Sequence, residues 1–179
     1  IIPLLNGLDI EERIHNILPG QEVWKGCVYI GSRLTEPGVV EKFSLKERIF
    51  FGNKDANKDK QTELLKLLMY ARLNAFNPAD IDLRIWKKFF MISTAATATS
   101  FFNQPIDEVL AQHIDLFIAL GTELKSVAEA MGVCLPDDIV YTSIETQKMM
   151  PAGSTTSMHS DFLAGKKTEL ELSLIHISE

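Results

Sequence analysis

The stretch Arg84–Ser93, RIWKKFFMIS, sets two ammonium groups beside tryptophan, phenylalanine and methionine. Lys88 is the more confined, with Trp86, Phe89 and Phe90 around it. An ammonium partly withdrawn from water has its pKa lowered. It can then donate a proton near neutral pH to a group that gains negative charge. The competing reading is an ordinary amphipathic helix in which Lys87 and Lys88 both reach water along their aliphatic stems. The residues alone leave both open.

Other residues offer chemistry less specifically. Glu169, in KKTELE, lies beside Lys166 and Lys167, where a solvated charge near an ion pair is as good a description. The stretch TTSMHSDF brings hydroxyls, His159 and Asp161 together. Near neighbours on one short helix rarely supply the geometry of a catalytic triad, and capping by Thr155, Thr156 or Ser157 is the simpler account. Asn6-Gly7 follows an apolar run that reads as a parallel strand. Ligands of open α/β sheets bind beyond such strand ends, although Asn-Gly also suits a plain turn. His15, His113 and His176 sit in helical or strand patterns without ligand spacing, so no metal site is expected.

The elements that must position these residues can be read from periodicity. Ile1–Asn6, IIPLLN, is a continuous apolar run of the kind found in a strand covered on both faces. Asp9 is expected to cap a helix carrying Ile10, Ile14, Ile17 and Leu18 on one stripe, ended by Pro19-Gly20. EVWKGCVYIGS, VVEKFS and ERIFFG read as strands, with a turn at Glu36–Gly38. The charged loop NKDANKDKQ leads into a helix over TELLKLLMYARL. From Leu83 onward nearly everything reads helical. Val109 to Met131 keeps a three- and four-residue rhythm that predicts one helix of about seven turns. Asp137 or Asp138 is expected to cap another helix. The expected organisation is an α/β part over residues 1–80 and an all-helical part over 81–171.

Composition narrows the function classes. The formal net charge of −6 disfavours a phosphate-tracking nucleic-acid surface. No apolar run approaches the ~20 residues that cross a bilayer, so a soluble, cytoplasmic protein without membrane partners is expected. Cys27 and Cys134 are far apart and read as thiols of a reducing compartment. The tail Leu172–Glu179, LSLIHISE, alternates like a strand but also matches one reading frame of a common transposon-based sequencing adapter. It is expected to be non-native.

The order of the pieces carries a resemblance. A strand ending in Asn6-Gly7, then GCVYIGSRLTEPGVVEKF, LRIWKKF, and TTSM with Asp161 and Gly165 before KKTELE, resembles the ketopantoate reductase family over residues 1 to 171. Trp86-x-Lys88-Phe89 and Ser157-Met158-x-x-Asp161, followed by Thr168-Glu169, are its most specific parts. The resemblance implies a partial Rossmann-like α/β domain followed by an all-α domain, with the site in a cleft between them. It also implies NADPH as cofactor, a 2-oxo acid as substrate, and a homodimer as one possible assembly. No Gly-x-Gly-x-x-Gly phosphate loop occurs in the chain, so this polypeptide alone is expected neither to hold NADPH nor to be active. By the resemblance, Lys88 is the general acid and Glu169 sets the cofactor and substrate end. Asn6 lies near nicotinamide and substrate, Ser157 binds the substrate carboxylate, Ser154 lies on the same substrate wall, and the backbone at Ser32 approaches the cofactor.

Departures from the family pattern are equally informative. Ile92 and Ala96 stand four and eight residues after Lys88, where the family carries asparagines; Ile106 and Ser154 replace two more. A wall able to hydrogen-bond a hydroxylated acid has become largely apolar, a change that alters discrimination strongly. Either Ser93, Thr94 or Thr97 takes over, or the 2-oxo acid differs. Outside this class, the long Val109–Met131 stripe reads as the partner face of a non-catalytic helical interaction module.

Overall fold

The structure is a computed structural model that describes residues 1–44, 46–166 and 168. Glu169 and the tail Leu172–Glu179 lie outside the described residues. The chain divides into two compact units, Ile1–Ile85 and Trp86–Glu179.

In the first unit the order is α1 (Ile10–Ile17), β1 (Lys25–Tyr29), β2 (Ser32–Glu36), β3 (Val39–Lys42), β4 (Arg48–Gly52), α2 (Lys58–Tyr70) and β5 (Ala75–Phe76). A three-stranded sheet runs β1-β4-β5. β1 pairs antiparallel with β4, Cys27 opposite Phe50, and β4 pairs parallel with β5, Phe50 opposite Phe76. β2 and β3 form a separate exposed hairpin turned at Gly38, whose φ of +82° suits a residue without a Cβ. Successive side chains of a strand point to opposite faces, and β4 uses both. Phe51 stacks on Trp24 at 6.1 Å and packs with Leu64, Leu65 and Leu68 of α2. Phe50, on the other face, packs with Cys27, Ile81 and Ile85.

Several expectations need correction here. Ile1–Asn6 forms no strand; Leu5 is 65% exposed, and chain residues 5 to 9 bend into α1. A strand exists through its pairing. Here the described backbone bonds to the segment are the Trp24 N–H donated to the Ile1 carbonyl at 2.8 Å and the terminal ammonium on the Glu22 carbonyl at 2.7 Å. The segment nevertheless lies close along β1: a Cβ on Gly26 would stand 2.6 Å from Ile2 Cγ2 and 2.9 Å from the Pro3 carbonyl. Asp9 occupies the N-cap position of α1, but its carboxylate engages Arg13 Nε instead of a helix N–H. α2 starts within the charged loop, because Asn57 Oδ1 accepts the Asp59 N–H at 2.7 Å and caps it there.

α3 (Ile81–Phe102) contains the division between the units. The second unit adds α4 (Ile106–Gln112), α5 (Ile114–Ala130), α6 (Ile139–Lys148) and α7 (Ser157–Leu163). Its core joins Ala95 and Ala98 of α3 with Ile106, Val109 and Leu110 of α4, Phe117 of α5 and Ile144 of α6. Gly121 of α5 admits the Phe90 ring, whose Cζ would stand 3.2 Å from a Cβ there. The rhythm predicted as one helix is two. It breaks at His113, with φ −135°, whose imidazole lies flat on the Phe102 ring at 3.7 Å and 2°. Apolar spacing passes through the break unchanged, so periodicity could not reveal it. Asp138 takes the N-cap position of α6, while Asp137 pairs with Lys125 at 2.9 Å.

Candidate active site

α3 is buried around most of its circumference between Trp86 and Thr99, including Phe90, Thr94, Ala95, Ala98 and Thr99. A helix of that kind lies inside a protein and not on its surface. Lys88 belongs to this interior, at 8% exposure, one residue from Phe89, whose ring meets Trp86 edge-on at 5.9 Å. Lys87, its neighbour, is only half-buried. The snorkelling alternative fails for Lys88: its side chain is taken out of water, and the two lysines are not equivalent.

What lies along the helix from Lys88 follows from the turn of about 100° per residue. Ile92, Ala96, Thr99 and Asn103 fall within about 80° of it on one flank. Ile92 is half-buried and Ala96 is 4% exposed, so the first two turns beyond the ammonium offer no hydrogen-bonding group on that flank. Thr94 donates its hydroxyl to the Phe90 carbonyl at 2.8 Å, which occupies it within the helix. Ser93 Oγ and Thr97 Oγ1 are buried without a hydrogen-bond partner among the described residues, but they stand about 140° and 180° round from Lys88. They point away from the flank that carries Lys88, Ile92 and Ala96.

Ser154 and Ser157 sit together at the far end of α3. The Ser154 carbonyl accepts the Ile106 N–H at 2.9 Å and its hydroxyl is donated to the Pro151 carbonyl at 2.5 Å. Thr156 caps α7, accepting the His159 N–H, and its hydroxyl meets that of Thr99 at 3.0 Å. That contact lies three turns beyond Lys88 on the same flank of α3. Ser157 opens α7 and is exposed, and its hydroxyl makes no hydrogen bond among the described residues. His159, buried at 3% exposure, stands between Thr155 Oγ1 at 2.6 Å and Asn103 Oδ1 at 3.0 Å. The sequence presents His159 only within a stretch best read as capping, and it gives no sign of the Asn103 partner. Asn103 carries a signal only in its backbone, a left-handed φ of +53° after the last turn of α3.

Asn6 and Ser32 belong to the first unit and are both exposed, Asn6 in the bend before α1 and Ser32 at the start of β2. That unit also holds an ionic cluster that sequence reading missed. Asp82, in the first turn of α3, binds Lys25 and Lys54, each at 2.6 Å, and Glu11 lies 3.5 Å from Lys25. Burial raises the Asp82 pKa, but the hydrogen bonds from the two lysines outweigh it and hold the carboxyl below its ordinary value.

Known proteins are similar to this chain in sequence and fold. Residues 80–175 match the family described as ketopantoate reductase PanE/ApbA C terminal, and residues 1–56 match ketopantoate reductase PanE/ApbA. An uncharacterized oxidoreductase, YkpB, of Bacillus subtilis is 27% identical over 94% of this chain and 57% of its own length. The 2-dehydropantoate 2-reductase of Porphyromonas gingivalis is 41% identical over 84% of this chain and 53% of that one, with a TM-score of 0.76. That of Methylococcus capsulatus is 26% identical over 99% and 57%, with a TM-score of 0.85. The chain thus spans a little over half the length of these relatives. The likeness bears out the fold class: a partial Rossmann-like α/β part followed by an all-α part.

Proposed function

The chain belongs to the ketopantoate reductase (PanE/ApbA) family, and on that premise we propose that the full-length protein reduces a 2-oxo acid to the 2-hydroxy acid, with Lys88 as proton donor. The observation that carries this reading is the burial of Lys88, at 8% exposure, on a helix whose neighbouring Trp86, Phe89 and Phe90 are buried as well. Reduction of a ketone builds negative charge on oxygen. A cation held in dry surroundings stabilises that charge strongly, because its field is little screened. Lys88 hydrogen-bonds the carbonyl oxygen, polarises it, and releases a proton to it as the C–H bond forms. Water then restores the proton to the amine. The Ser157 hydroxyl, uncommitted among the described residues, donates to the substrate carboxylate, and Ser154 stands beside it.

NADPH, when bound, supplies the hydride. The chain has no glycine-rich phosphate loop, so its residues suit only a contact at the nicotinamide end, where Asn6 and the backbone at Ser32 are exposed. Glu169 takes the role of orienting substrate or ribose.

The first candidate for the substrate is 2-dehydropantoate, whose reduction gives pantoate for pantothenate synthesis. The half-buried Ile92 and the buried Ala96 favour a second reading, a 2-oxo acid with a less polar body. Kinetics of the full-length protein with 2-dehydropantoate and with 3,3-dimethyl-2-oxobutanoate, the same acid without its hydroxyl, separate the two. A higher kcat/KM for the hydroxylated acid supports pantoate formation; a higher value for the other supports the second reading. No NADPH- or NADH-dependent reduction of any 2-oxo acid would defeat both.

A further inference from the structure

The sequence Thr155-Thr156-Ser157 offers three adjacent hydroxyls, with Ser154 and Ser160 on either side. One proton arrangement with a neutral imidazole satisfies all of the hydrogen bonds around them. In it Thr99 donates to the Ala95 carbonyl at 2.8 Å and accepts the Thr156 O–H. Thr156 oxygen in turn accepts the His159 N–H at 3.3 Å. In the same arrangement His159 donates Nε2–H to the Asn103 Oδ1 carbonyl oxygen. The bare Nδ1 then takes the Thr155 O–H at 2.6 Å. Ser154 donates to the Pro151 carbonyl at 2.5 Å and Ser160 to the Thr156 carbonyl at 3.0 Å. Ser157 alone in this group keeps its O–H without an acceptor among the described residues.

We propose that His159 is a positioning residue for substrate binding: by bridging Asn103 and Thr155 it commits the neighbouring hydroxyl and leaves Ser157 as the single donor presented to the substrate carboxylate. The inference rests on the reading of Ser157 given above. His159 touches no reacting atom. It acts from a buried position, with Asn103 anchored at the end of α3 and Thr155 at the entrance to α7. An apolar residue of similar size would release the Thr155 proton and let the segment between Pro151 and Ser157 settle in other rotamers.

The test is a double-mutant cycle in the full-length protein, using the 2-oxo acid it turns over fastest. His159→Leu is expected to raise KM about ten-fold, the loss of one hydrogen-bonded anchor, with kcat nearly unchanged. Ser157→Ala should do the same. The double variant should be no worse than Ser157→Ala, since one residue acts through the other. Should His159→Leu not fold, His159→Gln keeps the donor to Asn103 but not the acceptor for Thr155, and an intermediate KM is expected. If Ser157→Ala raises KM while His159→Leu and His159→Gln leave it alone, the positioning role is overturned and the Ser157 reading stands. If the His159 effect is undiminished in the Ser157→Ala background, the residue is merely structural and the proposal falls. If Ser157→Ala leaves KM unchanged, both fall.

Discussion

Thr99 Oγ1 and Thr156 Oγ1 meet at 3.0 Å across 57 positions of sequence, tying the entrance of α7 to the last turns of α3. Thr99 is fully buried, so its hydroxyl has no water to fall back on. Thr99→Val keeps the shape and removes the acceptor. It is expected to destabilise the full-length protein by about 1–2 kcal/mol in urea unfolding. An unchanged unfolding midpoint would show that Thr156 finds another acceptor at no cost.

The first unit depends on β4 being covered on both faces. Phe51 has no exposed surface, and it packs on Trp24 and on the leucines of α2. Phe51→Ala leaves a cavity that these groups fill only partly, so a loss of about 3–5 kcal/mol is expected. Amide exchange read along β4 and α2 should rise together. Exchange confined to α2 would mean that the sheet does not depend on that contact.

Asp82 gives a pH dependence. Its carboxyl is held below the ordinary 3.8 by Lys25 and Lys54 against the opposing effect of burial. A depressed folded pKa contributes stability above the unfolded value, and that stability is lost as pH falls through the folded value. Asp82→Asn should therefore cost about 1 kcal/mol at neutral pH. The variant and the parent should converge in strong acid, once the pH has fallen below the folded value. Lys25 shows the complement: burial works to lower its pKa, and the hydrogen bond and attraction of Asp82 raise it past 10.5. A gap between the two proteins that persists in strong acid would contradict the assignment.

Much of this architecture was legible because periodicity reports packing directly. β1, β3 and β4, α2 and the helical second unit all follow from apolar spacing. Side-chain chemistry narrows the cap of α7 to Thr155, Thr156 or Ser157, and the fold selects Thr156. What stayed hidden depended on partners distant in sequence. Ile1–Asn6 has the composition of a strand, but a strand needs a neighbouring backbone, which composition does not report. The break at His113 arises from a ring stacked on Phe102, and nothing in the spacing of α4 and α5 marks it. Lys88 was visible as an unusual lysine, while its burial required the fold. His159, with an ordinary N-cap explanation available nearby, was passed over because Asn103 lies 56 positions away.

The apolar flank beside Lys88 makes a prediction about selectivity. Ile92→Asn should raise kcat/KM for 2-dehydropantoate relative to 3,3-dimethyl-2-oxobutanoate by one to two orders of magnitude, roughly the value of a hydrogen bond to a substrate hydroxyl. A ratio that does not move would remove position 92 from the substrate wall.

The central claim is that the buried ammonium of residue 88 supplies the proton. Single-turnover reduction by the full-length protein, comparing the parent with Lys88→Ala after both are shown to be folded, tests it most directly. The account predicts a fall in the chemical rate of about 10²-fold or more, with substrate binding changed far less. A rate within a few-fold of the parent would contradict it.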